Sequence, residues 1–131
     1  MAISKKLHIH LDDLDYMGIV SHYDWVRIME RHRTEALKHE WKKVLKLGLG
    51  LVVVNVNVDY KAPARYDDEL EFKLKVTELG NSSFVARHEF INCKSDKTCA
   101  VGHITFACID QKTLKPTELA SEFREILEKL M

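Results

Sequence analysis

The spacing of apolar residues changes part-way along the chain, and this change limits the possible folds more than any other feature. From His22 onward, apolar side chains recur every three or four positions, which is typical of one face of a helix. The predicted helix continues with a bend through Trp41 and Val44 and stops at residues 48–50. Elsewhere apolar and polar residues alternate, which predicts strands. These strands span residues 5–12, 52–60, 70–76, 83–93 and 98–109, and a short amphipathic helix follows Pro116.

The order of the elements is strand, long helix, four strands and short helix, which predicts an α+β fold. Each turn between the later strands is short enough for a hairpin, so we expect an antiparallel sheet. A sheet with one apolar face requires a cover, and the long helix is the predicted element large enough to supply it. Neither a repeat nor a linker interrupts residues 1–131, which we expect to form one domain.

The charge balance and the cysteines restrict the kind of protein. Lys and Arg number 20, as do Asp and Glu, so no net field favours nucleic acid or an anionic membrane. The sequence predicts neither a membrane span nor a secretory signal, because no apolar stretch is long enough. Cys93, Cys99 and Cys108 fit neither a disulfide framework nor a zinc spacing. We interpret them as reduced thiols of a cytoplasmic protein, with Cys108 in the core.

Three carboxylates, those of Asp12, Asp13 and Asp15, crowd the junction between the first strand and the long helix. Aspartates are common in loops and at helix starts, where they accept backbone hydrogen bonds. The alternative interpretation is catalytic. A helix N-terminus would polarise a carbonyl oxygen, and a neighbouring carboxylate would activate water or attack directly. His22 is either an assistant in that chemistry or an exposed residue of the helix start, and the residues alone leave both open.

The other chemical candidates are weaker. His8 and His10 lie on one face of the first strand, but no third ligand has a suitable spacing, so no metal site is predicted. Ser82 and Ser83 lack a nucleophile elbow and are interpreted as turn residues. Glu30 and Arg33 are interpreted as an intrahelical pair.

Three segments of the chain, in this order and spacing, resemble a known family. They read Asp13-Leu14-Asp15-Tyr16-Met17-Gly18-Ile19-Val20-Ser21-His22 with Glu30-Arg31-His32-Arg33, then Asp59-Tyr60-Lys61-Ala62-Pro63-Ala64-Arg65-Tyr66-Asp67-Asp68, and finally Glu78-Leu79-Gly80-Asn81-Ser82-Ser83. Together they are similar to the 4-hydroxybenzoyl-CoA thioesterase family. Within it they resemble the small bacterial acyl-CoA thioesterases associated with the Tol-Pal gene cluster. The similarity extends from Lys5 to Lys115, and its first segment is the most specific.

The resemblance implies a hotdog fold, in which the sheet wraps around one long central helix. It further implies a homodimer or homotetramer with active sites between subunits. Asp15 would carry the hydrolysis, and the backbone N–H and side chain of His22 would act on the thioester carbonyl. The substrate-binding residues implied are Gly18, Ile19, Trp25 and Tyr60.

The chain departs from the family pattern at four places. Trp25 stands where tyrosine is usual, and Asp24 where a small residue or asparagine is common. Tyr16-Met17 replaces smaller residues, and Leu11 replaces a frequent aromatic residue. These positions bear on the choice of acyl group and leave the reaction type unchanged.

Three functions are compatible with the sequence. The first is hydrolysis of an acyl-CoA thioester without a metal or redox cofactor, with Asp15 as general base or as nucleophile. The second keeps the reaction and replaces coenzyme A by an acyl carrier protein. The third is a catalytically silent scaffold that binds acyl-CoA, which would not require Asp15, Gly18 and His22 together.

Overall fold

The computed structural model describes residues 2–131, and its helical first half consists of two consecutive helices. Helix α1 spans His22–Ala36 and α2 spans Lys38–Lys46. The expected single helix is therefore divided at Leu37, whose φ of −112° and ψ of 27° leave the helical region. The break buries Leu37 and turns α2 so that the ring of Trp41 packs 5.8 Å from that of Phe123. Helix α3 spans Ser121–Lys129. No helix within residues 2–131 is long and apolar enough to cross a membrane.

Five strands form one antiparallel sheet. They are β1 (Ile3–His8), β2 (Leu49–Tyr60), β3 (Glu69–Leu79), β4 (Ser83–Asn92) and β5 (Thr98–Asp110), in the order β1-β3-β4-β5-β2. The hairpins β3–β4 and β4–β5 agree with the sequence prediction. The predicted hairpin between β2 and β3 is wrong, because β1 occupies that edge of β3. Strand β2 pairs instead with β5 at the opposite edge of the sheet.

The first strand is shorter than predicted. It ends at His8, and Leu11–Asp13 form a 3-10 turn that leaves Leu11 exposed. The Asp13 carboxylate accepts the backbone N–H of His10 at 3.0 Å. With this bond the chain turns away from the sheet after His8, although the alternation of apolar and polar residues in the sequence continues beyond it.

One face of β3, β4 and β5 packs on α1 to form the core. The ring of Phe90 lies 5.3 Å from Trp25 and 5.0 Å from Phe72. Gly102 allows the helix to approach the sheet closely, since a Cβ atom there would lie 2.5 Å from the Met29 sulfur. Cys108 is buried, as predicted.

Strand β2 does not follow the predicted pattern of one core face and one solvent face. Val52, Val53, Val54 and Val56 are 39–58 % exposed. Residues 52–57 are exposed on both faces of the strand, so neither the valines nor the asparagines point into the core, and the register against β5 shifts between Val53 and Asn55. The outer edge of β2 thus presents a run of valines to solvent.

Two histidines lie between α1 and the sheet, His88 fully buried and His32 half-buried. His88 is fully buried on β4, with Nδ1 3.2 Å from the Ala86 carbonyl oxygen, while its Nε2 has no partner among residues 2–131. Burial, reinforced by the positive charge of Arg33, lowers the pKa of His88 to about 3. Burial, reinforced by Lys5 and Arg31, lowers the pKa of His32 to about 4. Both imidazoles are therefore neutral in the folded protein at neutral pH.

This burial makes stability depend on pH. An unfolded histidine binds a proton below pH 6.5, whereas the folded His88 does so only near pH 3, so stability falls as the pH drops through this interval. We expect His88 alone to lower the free energy of unfolding by about 2 kcal/mol between pH 7 and pH 5. Chemical denaturation of the wild type and of His88→Gln at both pH values checks this. An equal drop in the two proteins would contradict it.

Candidate active site

The loop between β1 and α1 holds Asp15 at the base of a tight turn. Residues 14 and 20 pair as an isolated bridge, and the Asp15 N–H donates to the Ile19 carbonyl at 2.8 Å. The Gly18 N–H donates back to the Asp15 carbonyl at 3.0 Å. Gly18 has a φ of +75°, a conformation that glycine adopts without strain. Tyr16 and Met17 form the exposed tip of the turn.

The Asp15 carboxylate is oriented by its own loop. Its Oδ1 atom accepts the Met17 N–H at 2.8 Å, an Asx-type turn. No other donor within residues 2–131 binds this carboxylate, so Oδ2 is available to a water molecule or a substrate.

Helix α1 begins beside this carboxylate. Ser21 occupies the N-cap position without capping the helix through its side chain. The backbone N–H groups of His22 and Tyr23 have no acceptor in the described part of the chain, and they lie at the positive end of the helix dipole. The Tyr60 hydroxyl, from the end of β2, donates to the His22 carbonyl at 2.9 Å. This bond ties the first turn of α1 to the sheet.

A cleft of about 430 Å³ unites these groups. Its walls are Asp15, Ile19, Val20, His22, Trp25, Tyr60, Lys61, Ala62 and Pro63. The structure thus brings together five of the six residues singled out from the sequence, while Gly18 shapes the turn behind the wall. Val20 and the segment 61–63 were not singled out. The sequence did offer a signal for residues 61–63, because they directly follow Tyr60 within the second segment that resembles the family.

The crowded aspartates have separate roles in the structure. Asp13 is buried, with Oδ1 3.3 Å from Arg27 Nη2, whereas Asp12 is exposed. The atoms of His10, Asp12 and Asp13 that could ligate a metal ion lie within 4.8 Å of one another. The oxygens of Asp13 are already engaged by Arg27 and by the His10 N–H, which favours an ion pair over metal ligation.

A second cavity, of about 320 Å³, lies between the α1–α2 junction and β2. Arg33 and Trp41 line it, together with apolar residues that include Val53. The predicted pairing of Glu30 with Arg33 is present at 3.9 Å, but Arg33 is buried, with its guanidinium 4.8 Å from the Phe106 ring centre. Burial lowers the pKa of Arg33. Arg33 Nη1 and Trp41 Nε1 have no acceptor among the described residues.

Comparison with known proteins places the chain in a family. Residues 9–127 match the model of the thioesterase-like superfamily. The chain belongs to this superfamily. Membership confirms the predicted α+β hotdog fold and the predicted enzyme class, a thioester hydrolase.

Several known proteins are similar to the chain over nearly its whole length. Acyl-CoA thioester hydrolase YbgC of Escherichia coli O6:H1 is 29 % identical, covering 91 % of this chain and 93 % of its own. A putative esterase of Aquifex aeolicus is 32 % identical, covering 99 % and 98 %. The solved structure of Slr0204, a 1,4-dihydroxy-2-naphthoyl-CoA thioesterase from Synechocystis, superposes with a TM-score of 0.88 at 20 % identity, covering 99 % and 98 %. At this identity, the similarity to Slr0204 shows a shared fold.

Proposed function

We propose that the protein hydrolyses acyl-CoA thioesters to a free acid and coenzyme A at the cleft around Asp15. The observation that carries the proposal is that one cleft is lined both by Asp15, whose carboxylate has a free oxygen, and by His22, the first residue of α1, whose backbone N–H has no acceptor among the described residues. These are the two components that acyl transfer to water requires, a base or nucleophile and a stabiliser of the oxyanion. The proposal needs neither a metal nor a redox cofactor.

In the proposed mechanism the thioester oxygen binds the backbone N–H of His22, which lines the cleft. Attack on the carbonyl carbon places negative charge on that oxygen, where this amide and the helix dipole stabilise it. As general base, Asp15 takes a proton from the attacking water, and coenzyme A leaves as the thiolate, which then gains a proton. As nucleophile, Asp15 displaces the thiolate to form a mixed anhydride, which water then cleaves. The His22 imidazole lines the same cleft and can orient the water.

A single-turnover reaction in ¹⁸O-labelled water distinguishes the two roles of Asp15. Label in the Asp15 carboxylate would eliminate the pure general-base route, because only cleavage of an anhydride on its protein side leaves a water oxygen there. Label confined to the product acid would show that no anhydride is cleaved on its protein side, as the general-base route requires.

The relatives support coenzyme A as the carrier of the acyl group. YbgC bears the name acyl-CoA thioester hydrolase and Slr0204 that of a naphthoyl-CoA thioesterase. Lys61 is a cation on the wall of the cleft and is suited to the phosphates of coenzyme A.

The test compares the same acyl group on coenzyme A and on an acyl carrier protein. We expect a higher kcat/KM for the coenzyme A thioester. A higher value for the carrier protein would replace the proposed substrate. Stoichiometric binding of acyl-CoA with no hydrolysis of either thioester would favour the silent scaffold.

We further propose that two copies of the chain pair through β2. This strand is an edge of the sheet, and its exposed valines lie where a second strand would add. The partner argued for is a second copy, because an antiparallel pair of identical edges satisfies its backbone groups around a two-fold axis.

Such pairing would complete the active site. Val53, at the second cavity, and Tyr60, at the cleft, lie seven residues apart on β2, or about 23 Å. An antiparallel partner related by a two-fold axis near Val54 brings its Tyr60 beside the start of β2, on the same side of the axis as Leu51 and Val53 of the second cavity. The cleft of one copy would then adjoin the Arg33–Trp41 cavity of the other, which offers the acyl group an apolar compartment.

We expect Tyr60→Phe to lower kcat about three- to tenfold with little change in KM. The loss follows from the missing bond to the His22 carbonyl, which holds the helix N-terminus in place. The free energy of unfolding should fall by about 1 kcal/mol. Tyr66→Phe is the matched control, since the Tyr66 side chain is exposed and its hydroxyl has no partner within residues 2–131. Equal kcat values for the two variants would contradict the expectation.

A further inference from the structure

Two buried carboxylates share one arginine at the base of the catalytic loop. Asp13 is 1 % exposed and Asp24 is 5 % exposed, although one belongs to the loop and the other to the first turn of α1. Arg27 Nη2 lies 3.3 Å from Asp13 Oδ1 and 2.9 Å from Asp24 Oδ1. The same nitrogen is 3.4 Å from the Asp12 carbonyl oxygen. Arg31 approaches Asp13 less closely, at 3.9 Å.

Asp13 also joins the two ends of the loop. Its Oδ2 atom accepts the His10 N–H at 3.0 Å, and its carbonyl accepts the Ser21 N–H at 3.2 Å. The chain between these two contacts carries Asp15. A shift of Asp13 therefore moves the catalytic carboxylate relative to the N-terminus of α1.

The energetics make Arg27 the central member. A buried carboxylate is strongly unfavourable unless it is paired. Without Arg27, Asp24 has no ion-pair partner within residues 2–131, and Asp13 keeps only the more distant Arg31. Both carboxylates would have to move toward water, and the loop and the first turn of α1 would separate.

We propose that Arg27, acting through Asp13 and Asp24, is a positioning residue for thioester hydrolysis. It holds the loop that carries Asp15 against the first turn of α1, where His22 supplies the N–H for the thioester oxygen. This inference rests on the proposed function. Because a misplacement of about 1 Å at a reacting group can lower the rate about 100-fold, the arginine affects turnover without touching the substrate.

The kinetic experiment uses Arg27→Met, which keeps an unbranched side chain and removes the charge. We expect kcat to fall at least about tenfold while KM changes less than about threefold. Arg27→Lys should recover part of kcat, because a single ammonium retains the charge but not the planar fork. The matched control is Arg87→Met, which removes an arginine paired with Glu89 at 3.1 Å on β4, outside the loop, and should keep kcat within about twofold of the wild type.

A second readout does not depend on activity. The Met17 N–H donates to the Asp15 carboxylate at 2.8 Å, so its exchange rate with water, measured by NMR, reports the position of Asp15. The Lys112 N–H donates to Asp110 over the same two-residue spacing and the same 2.8 Å, in a turn remote from the loop. In Arg27→Met we expect Met17 exchange to rise at least about threefold and Lys112 exchange to stay unchanged. If Arg27→Met does not fold, Arg27→Lys should show the same selective rise in smaller measure.

The outcomes separate this inference from the proposed function. A wild type that hydrolyses no thioester would refute the proposed function, and the positioning role in catalysis with it. An active wild type with unchanged kcat and Met17 exchange in a folded Arg27 variant would overturn the inference alone. It would also be overturned if Arg87→Met lost as much kcat, or if Lys112 exchange rose equally, since the effect would then be general destabilisation.

Discussion

Asp15→Asn is expected to lower kcat at least about 100-fold while leaving the protein folded. Asparagine has the shape of aspartate, and its side-chain oxygen can still accept the Met17 N–H, so the turn should persist. It cannot act as a base or as a carboxylate nucleophile, and the loss of such a group typically costs a factor of 10² to 10⁴. Release of free thiol from acyl-CoA, followed in both proteins at equal concentration, measures the effect.

Asp12→Asn is the matched control for this substitution. It removes a carboxylate from the same loop at an exposed position outside the cleft, so kcat should stay within about twofold of the wild type. If Asp15→Asn were as active as Asp12→Asn, the assignment of Asp15 as the catalytic carboxylate would be wrong.

Val54→Lys is expected to convert the protein from a dimer to a monomer and to lower kcat/KM at least about tenfold. Val54 is 58 % exposed at the middle of the β2 edge. A two-fold axis near this residue would bring two lysines together, where like charges repel and cannot be buried without a large cost. The chain has a mass of 15.2 kDa. Analytical ultracentrifugation should therefore give a mass of about 30 kDa for the wild type and half that mass for the variant.

Leu47→Lys serves as the control for the loss of an exposed apolar side chain. Leu47 lies at the end of α2 and is 61 % exposed, but it is not part of the β2 edge. This variant should remain dimeric and active. A wild type that sediments as a monomer with full activity would contradict both the pairing through β2 and the composite active site.

The elements set by local periodicity could be predicted from the sequence. Strands β3 and β4, and β5 from His103 onward, alternate because one face packs into the core and the other faces outward, as the buried Phe72 and the exposed Lys75 illustrate. The helix from His22 was likewise predictable from its apolar face. The loop position of Asp15 followed from the polar, glycine-containing segment before that helix.

Other features depend on contacts between distant parts of the chain. The break at Leu37 results from packing of α2 against the sheet and α3, which the helical period does not encode. The exposed valines of β2 result from its place at the sheet edge, where neither face of residues 52–57 is covered. Their sequence pattern is the same as that of a buried strand.

The candidate site likewise combines features that the local sequence predicts with features that depend on distant contacts. The six substrate and catalytic candidates followed from the family-like segments and one loop. The role of Asp13 did not, because Arg27 lies 14 positions away and the pair forms only once the loop folds back on α1. The sequence shows three crowded aspartates without a counter-ion beside them, whereas in the structure the buried Asp13 pairs with Arg27 of α1.

The most direct test of the central claim is thiol release by the wild type from a panel of short, medium, long and aromatic acyl-CoA thioesters. We predict that at least one member is hydrolysed to equal amounts of free acid and coenzyme A, with a kcat of about 1 s⁻¹ or more, within the usual range for enzymes. Binding of the panel without hydrolysis above the rate in buffer would contradict the account.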